Sequence, residues 1–409
     1  MHWADSEQDA AFRDEVRAFV RGSFPAGYEP DPAGENSLEP EDALGYEWSA
    51  DRVSPDPVRR GHARAWAAAL AGRGWVAPRL PEKYGGAGCS PMQELILQEE
   101  LMRAGVPTVN GIAAFLFAPT LLACGTEEQR AAHLPGIARG EVTWAQGFSE
   151  PDAGSDLASV RTRAVRRGGE YVLNGQKVWT SLAQYADWLF VLVRTDPEAP
   201  KHRGLTMLLV DAGSPGVAIR PIRDIRGAEP FNEMFFTDVR VPAENLVGAE
   251  NEGWRVAMTA LGFERAGIGA TIKYERVLAQ LVEYLRSGHA ASFVRDDVAV
   301  LRREIAKRYL ETRVLHNLAR YSVSKQEAGE VPGYEASASL LFGAELNQRL
   351  ARTGASAFGP FANLWQRGEA PLGALFTHLR FDSVAATFIG GAAEIQRQII
   401  ACRGLGLPR

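Results

Sequence analysis

Three hydrophobic patterns follow one another along the 409-residue chain. Up to about residue 140, apolar side chains recur at the spacing of amphipathic helices, and this spacing returns after residue 250. Between them lie short runs of alternating apolar and polar residues, separated by glycine, proline and aspartate, which is typical of an antiparallel barrel or sandwich. The pattern predicts an α+β protein with an N-terminal helical domain, residues 1–140, a middle β domain, 141–249, and a C-terminal four-helix bundle, 250–409.

The two helical parts differ in what interrupts them. The first predicted helix carries Phe12, Val16, Phe19 and Val20 on one face, so we expect it to dock through that face. The segment that follows, residues 25–57, is rich in proline, glycine and acidic residues and is expected to form a long surface loop. The C-terminal part consists of four long helical runs, residues 251–286, 296–328, 334–357 and 373–400.

Composition argues against a nucleic-acid-binding protein, a membrane-spanning protein and a metal site formed by cysteine or histidine. A net charge of −5 provides no basic face for nucleic acid. No apolar stretch reaches the roughly 20 residues that a membrane span needs. The cysteines (Cys89, Cys124 and Cys402) are far apart, and neither they nor the histidines have the spacing of a metal site, so we expect reduced thiols and a cytoplasmic protein.

The sequence "QGFSEPDAGSD", residues 146–156, is a candidate binding segment at the start of the β domain. Its hydroxyls and exposed backbone groups can form hydrogen bonds, and its glycines let the backbone approach a flat ligand closely. A turn that joins a strand to the next element explains the same composition. From the residues alone, both interpretations stay open.

A second candidate segment is "KVWTS", residues 177–181. An indole stacks well on a flat aromatic ligand, and Trp179 is followed by the hydroxyls of Thr180 and Ser181. Alternatively, Trp179 belongs to the core between the β domain and the helices.

The order of the three parts, together with four sequence blocks, resembles the acyl-CoA dehydrogenases. One such block alone would be weak support, but four in the same order are specific, and the likeness covers nearly the whole chain. The blocks are "FSEPDAGSD", "NGQKVWTSLAQYADW", "FNEMFFTDVRVPAENLVG" and "GGAAEIQRQIIACRGLGLPR".

This resemblance implies FAD as the cofactor, an acyl-CoA as the substrate and a role in fatty acid or lipid metabolism. It implies that Ser155 and Arg265 bind the substrate. It also implies that the flavin ring and the adenosine side of FAD are held by Gln146, Phe148, Ser149, Trp179, Thr180, Ser181, Gly391 and Glu394.

The reaction implied is α,β-dehydrogenation of the thioester to the trans-2-enoyl-CoA, with hydride transfer to flavin N5. It needs a carboxylate base in dry, apolar surroundings. Many members of the family carry this glutamate where Gly390 stands here. A second subgroup carries it on the helix that follows the β domain, where Glu264 lies among Leu261, Phe263 and other apolar residues, so Glu264 is the predicted base.

Some features depart from the family pattern. Ala392 replaces a threonine expected near the cofactor, and the "R-x-x-F-G" segment that reaches a neighbouring subunit's FAD is absent. The resemblance implies a homo-oligomer, dimer or tetramer, but these departures also permit a heteromer in which a related chain completes the cofactor site.

The sequence leaves alternatives for the activity. Electron transfer flavoprotein is the electron acceptor that the resemblance implies. The same fold also hosts flavin-dependent monooxygenases and oxidases, and a non-catalytic partner subunit of a heteromeric dehydrogenase is a further alternative. Small residues after Glu264 are consistent with a bulky acyl group, whether branched, cyclic or steroidal.

Overall fold

The structure is a computed structural model that describes residues 5–29, 47–265, 270–287, 298–330, 333–366 and 368–408; the side chains of residues 264, 265, 270 and 298 are outside the described part. The N-terminal part is helical. Its helices are α1 (Glu7–Ser23), α2 (Trp48–Asp51), α3 (Pro57–Ala71), α4 (Pro91–Ala104), α5 (Ala118–Cys124) and α6 (Glu127–Ala138), and a π-helical turn (Ala113–Phe117) precedes α5.

Local capping interactions explain where several of these helices begin and end. The hydroxyl of Thr126 accepts from the backbone N–H of Gln129, whose side chain accepts from the N–H of Thr126 in return, and Ser6 and Ser90 start α1 and α4 in the same way. Gly140, two residues after α6, has a φ of +65°, which suits the left-handed turn that ends a helix. These local interactions account for the start and the end of α6.

The segment predicted as a plain surface loop, residues 25–57, contains a short helix. Trp48 of α2 is buried in the core of the N-terminal helices, and its indole Nε1 donates to the carbonyl of Ala63 at 2.9 Å. The expectation of a loop was wrong for this portion because one buried tryptophan holds it against α3. Residues 30–46 lie outside the described part of the chain.

The middle part forms one eight-stranded sheet. Its strand order is β6-β7-β3-β2-β4-β5-β8, and β1 pairs with β4. Most neighbours are antiparallel, while β1 and β2 each pair in parallel with β4. The strands are β1 (Trp144–Gly147), β2 (Arg163–Arg167), β3 (Glu170–Ser181), β4 (Trp188–Arg194), β5 (Leu205–Asp211), β6 (Val217–Ile222), β7 (Phe231–Pro242) and β8 (Leu246–Val247).

The central strand β4 is apolar on both sides because each face meets a different core. Phe190 and Leu192 point to a core shared with the N-terminal helices, whereas Leu189, Val191 and Val193 point to the core inside the sheet. This alternation follows from the two-residue period of a strand. Both faces of β4 are thus buried, one against the N-terminal helices and the other inside the β domain.

The C-terminal part is helical. Its helices are α7 (Gly253–Arg265), α8 (Ala270–Arg286), α9 (Val298–Glu327), α10 (Tyr334–Phe358), α11 (Leu375–Ala385) and α12 (Ala393–Ile399). The last predicted run is divided, because Gly390 and Gly391 adopt φ values of +70° and +111° between α11 and α12. The order of helices, sheet and helices confirms the predicted fold class.

Buried charges connect the N-terminal helices to the bundle. Arg13 on α1 donates to Glu99 and Glu100 on α4, at 2.8 Å and 2.6 Å. Arg320 on α9 donates to Asp5 just before α1, at 2.9 Å. Within the described part, no helix is both long and apolar enough to cross a bilayer.

Candidate active site

The two candidate binding segments lie side by side. The residues after β1 run along β3, where the backbone N–H of Val178 donates to the carbonyl of Ser149 at 3.0 Å. The ammonium of Lys177 donates to the carbonyl of Phe148 at 2.9 Å. Residues 148–149 therefore adjoin the strand end that carries Trp179.

Trp179 lies in a bulge of β3 and has an unusual backbone conformation. The pairing of β3 with β7 shifts register between Lys177 and Thr180, and Trp179 in that bulge has a φ of +62°. A bulky side chain rarely adopts this conformation, and such outliers cluster at functional sites. Its ring is 61% exposed and touches Phe231 edge-on, with 6.3 Å between ring centroids. This exposure excludes the alternative of a core position.

Polar side chains at this place are free to bind a ligand. Gln146, Ser149 and Ser181 are half-buried, and their side chains form no hydrogen bond with any described residue. Thr180 differs, since it is enclosed, and its Oγ1 has no partner among the described residues. The Thr180 side chain must move before its hydroxyl can reach a ligand.

The side chain of Phe148 lies in the core beneath these polar residues. Its ring is buried in the core beside Phe190, with 6.3 Å between the centroids, and its carbonyl is occupied by Lys177. In this conformation, the ring positions the backbone of the segment and does not line an open surface.

Ser155 lies at the outer end of the first segment and is exposed. A tight loop precedes it, closed by reciprocal backbone hydrogen bonds of 3.0 Å between Glu150 and Ala153. Next to it, Asp156 pairs with Lys201 at 2.7 Å on the surface. This exposed polar surface suits a large polar group better than an acyl chain.

Gly391 and Glu394 belong to the bundle. Both are near the start of α12, which packs against α10, and Glu394 is exposed. Gln396 donates to the carbonyls of Gly390 and Gly391, at 3.3 Å each, and so holds the turn in place. The structure thus places these two predicted contacts on a different element from the Trp179 segment.

The predicted base and its neighbour are on α7. Val256, Ala257 and Ala260 of this helix are fully buried in the core shared with β4, β5 and α5. Position 264 follows Ala260 by one helical turn. The side chains of Glu264 and Arg265 lie outside the described residues.

A cavity of about 120 Å³ lies between the N-terminal helices and the β domain. Leu182, directly after Ser181, forms part of its wall, and Trp144 at the start of β1 forms another part. The rest is lined mainly by the turn before the π-helical segment, residues 108–113, and by Glu47 and Ser49 around the start of α2.

Lys177 and Glu150 fall inside the two candidate segments, but the sequence alone indicates no role for either residue. Lys177 is fully buried and pairs with the carboxylate of Glu150 at 2.8 Å. A lysine at an inward position of an apolar strand could have signalled this pair, since buried lysines are almost always paired. Its partner could not be read from the sequence, because 27 positions separate the two residues.

Comparison with known proteins decides the family. Models of the N-terminal, middle and C-terminal domains of acyl-CoA dehydrogenases match residues 47–141, 145–239 and 251–405. The chain belongs to the acyl-CoA dehydrogenase family. A relative from Mycobacterium tuberculosis, "Acyl-CoA dehydrogenase IpdE1", is 40% identical over 90% of this chain and 95% of its own. Another from the same organism, "Acyl-CoA dehydrogenase FadE26", is 38% identical over 82% and 86%.

Solved structures of acyl-CoA dehydrogenases superpose on the whole chain. The "Tcur3481-Tcur3483 steroid ACAD" superposes with a TM-score of 0.83 at 31% identity and covers 100% of both chains. The "ChsE4-ChsE5 complex from Mycobacterium tuberculosis" superposes with a TM-score of 0.81 at 32% identity, again over 100% of both chains.

The predicted enzyme class and cofactor are confirmed by this membership. The protein is an acyl-CoA dehydrogenase, an oxidoreductase that acts on CH–CH donors, and its cofactor is FAD. The residues present fit the flavin ring. Gln146, Ser149 and Ser181 offer unpartnered polar groups for its hydrogen-bonding edge, and Trp179 offers an exposed aromatic face.

Proposed function

We propose that this acyl-CoA dehydrogenase removes hydrogen from the α- and β-carbons of a bulky acyl-CoA, with Glu264 as the base that takes the α-proton. The observation that carries the proposal is the meeting of residues 148–149 with the Trp179 strand end, which creates one surface of free polar groups beside an exposed indole. FAD, when bound, accepts the β-hydride at N5. The chain's own residues orient the two partners and move the proton.

Two observations support Glu264 as the base. Its helix, α7, is buried through Ala257 and Ala260 in the core between the N-terminal helices and the sheet. The sequence around position 264 is apolar, and apolar surroundings disfavour the charged form of a carboxylate. The other position at which family members carry the base is Gly390 here, and its φ of +70° suits glycine.

The proposed substrate contacts follow from the positions of Ser155 and Arg265. We assign the CoA portion to the exposed surface around Ser155, where no apolar group would be desolvated. Arg265, next to the base on α7, is assigned to the substrate as well. Ser149, Ser181 and Gln146 hold the flavin edge, and Trp179 covers its face.

The nature of the acyl group is inferred from the relatives, because the cavity beside Leu182, about 120 Å³, is smaller than the roughly 150 Å³ that accepts one benzene-sized ring. Solved relatives described as "steroid ACAD" support a polycyclic substrate.

Anaerobic flavin bleaching tests this function. We expect the purified FAD protein to lose its visible flavin absorbance when mixed with a polycyclic acyl-CoA, and to respond slowly to short straight-chain thioesters. Glu264→Gln should slow the bleaching about a hundredfold or more, because the proton acceptor is lost. Glu252→Gln is the matched control, since Glu252 is an exposed residue just before α7 and should leave the rate unchanged.

The electron acceptor is tested in the same preparation. We propose electron transfer flavoprotein as the acceptor, so the reduced enzyme should reoxidise rapidly with it and slowly with oxygen. Turnover with oxygen that persists in Glu264→Gln would instead identify an oxidase or monooxygenase.

A second candidate function is that of a partner subunit in a heteromeric dehydrogenase. Ala392 lacks the hydroxyl expected near the cofactor, and one of the solved relatives is a complex of two different chains, ChsE4 and ChsE5. In that case the purified chain would be colourless after addition of FAD and would acquire flavin only together with a related subunit.

A further inference from the structure

A buried ion pair lies directly behind the proposed flavin surface. Lys177 is 0% exposed, and its ammonium donates to the carboxylate of Glu150 at 2.8 Å and to the carbonyl of Phe148 at 2.9 Å. It thus contacts the residues on both sides of Ser149. On its own strand, Lys177 is two residues before Trp179 and four before Ser181.

Glu150 is held from the other side. Its two carboxylate oxygens accept from the backbone N–H groups of Arg161 and Thr162, at 2.7 Å and 2.8 Å. Its own backbone closes the tight loop with Ala153. The carboxylate therefore connects the segment after β1, the start of β2 and the inside of β3.

The pair stays ionised near neutral pH. Burial lowers the pKa of Lys177 to about 8, while the charge of Glu150 opposes this change. Burial alone would raise the pKa of Glu150, but the charge of Lys177 and the hydrogen bonds to the carboxylate lower it overall. Arg194 on β4 faces the pair, and its side chain is held by the carbonyls of Ala158 and Val160.

Such a pair is costly to bury, and apolar side chains of similar size often stabilise a fold as well or better. We infer that Lys177 is a positioning residue for the cofactor: by holding the Phe148 carbonyl and the Glu150 carboxylate, it fixes the backbone around Ser149 at the spacing from Trp179 and Ser181 that the flavin ring requires. This inference rests on the proposed flavin surface.

The effect on binding follows from the geometry. Without the ammonium, Phe148 loses the partner of its carbonyl, and Glu150 loses its counter-charge. Residues 148–150 can then shift relative to β3. Among the described residues, the hydrogen bond from the N–H of Val178 to the carbonyl of Ser149 still joins them to this strand. The flavin edge and the indole would no longer be held at a fixed distance.

The test measures FAD binding to the apoprotein of Lys177→Met, which keeps the length of the side chain and removes its charge. We expect a Kd for FAD at least tenfold higher than that of the wild type, and an altered near-ultraviolet and visible circular dichroism of the flavin that remains bound. Glu150→Gln keeps an acceptor oxygen for one of the two backbone N–H groups, that of Arg161 or that of Thr162, and should change both quantities in the same direction.

Lys325→Met is the matched control. Lys325 pairs with the buried carboxylate of Glu335 at 2.5 Å in the bundle, so its loss should lower the thermal midpoint without changing the Kd for FAD. If Lys177→Met lowers only the midpoint and leaves the Kd and the flavin dichroism at wild-type values, the inference is overturned. If Lys177→Met does not fold, Glu150→Gln decides by the same readouts.

The two proposals fail separately. Wild-type apoprotein that binds no FAD would refute the flavin surface itself. Wild-type apoprotein that binds FAD, together with unchanged binding in Lys177→Met and Glu150→Gln, would refute only the role of Lys177.

Discussion

Trp179 combines two unfavourable features that a purely structural residue would avoid. Its backbone is held at positive φ, which costs a bulky residue on the order of 1–3 kcal/mol, and its large ring is mostly in water. Neighbours compensate for this, since Asn232 of β7 donates to the carbonyl of Thr180 at 3.1 Å and keeps the strand end in place. The strain is explained if the ring acts on a ligand.

Replacing Trp179 by glycine distinguishes the effect of the strained backbone on stability from the effect of the indole on FAD binding. Trp179→Gly removes the steric cost and little buried area, so we expect the thermal midpoint of the apoprotein to stay unchanged or rise. The Kd for FAD should increase about tenfold or more, because the stacking surface is lost. Trp179→Phe keeps an aromatic ring and should bind FAD with a smaller loss. A lower midpoint with unchanged FAD affinity would show that the indole supports the fold and not the cofactor.

At the scale of elements, the charge cluster between α1 and α4 decides how the first helix is attached. Glu100 is buried and receives hydrogen bonds from Arg13, Arg17 and Arg103. Burial by itself would raise the pKa of Glu100, but these three guanidinium groups outweigh it and lower the pKa below its ordinary value. The apolar face of α1, with Val16 and Val20 buried, confirms the predicted docking helix.

The pH dependence of this attachment follows from the lowered pKa. A carboxyl whose pKa is lower in the folded state contributes stability above its unfolded pKa, near 4.5, and loses it as the pH falls through the folded value. Glu100→Gln leaves buried guanidinium groups without their counter-charge, so we expect a loss of about 3 kcal/mol at pH 7. This difference from the wild type should shrink below about pH 4, as measured by thermal midpoints across a pH series.

The control for this experiment is an exposed pair. Glu141 bonds with Arg139 at 2.7 Å on the surface, and Glu141→Gln should cost less than about 1 kcal/mol. Equal effects of the two substitutions at pH 7 would contradict the role of the buried cluster.

At the scale of the whole molecule, large apolar side chains are exposed in the C-terminal region. Five of them in residues 384–407 are about half or more exposed: Val384, Phe388, Ile389, Leu405 and Leu407. Exposed apolar side chains that form one patch mark interaction sites. We propose that this region contacts another subunit, either a second copy or a related chain.

Sedimentation distinguishes the two kinds of assembly. The purified chain should sediment as a dimer or tetramer if it associates with itself, and as a monomer that assembles only with a related subunit if it is one half of a heteromer. Phe388→Ser combined with Leu405→Ser should weaken either assembly at least tenfold, because two apolar contacts are lost. Ile225→Ser is the control, since Ile225 is equally exposed on a loop of the β domain. A chain that stays monomeric with every related subunit tested would refute the proposal.

The order of helices, strands and helices was predictable from the amino-acid pattern, because the spacing of apolar residues is a local property that each element repeats. The amphipathic face of α1 was predictable for the same reason. The family, the enzyme class and the cofactor could also be read from the sequence, since the four blocks are contiguous. The glycines at 390 and 391 interrupted the last helix within a single predicted run, which periodicity alone did not reveal.

The contacts between residues that are distant along the chain became visible in the folded structure and not in the sequence. The pairing of Lys177 with Glu150, the positive φ of Trp179 and the enclosure of Thr180 all depend on how β3 lies against β7 and against the segment after β1. The burial of Trp48 against α3 depends likewise on packing between segments. These features arise from contacts between elements remote along the chain, and no local pattern of residues contains the register or the distance that produces them.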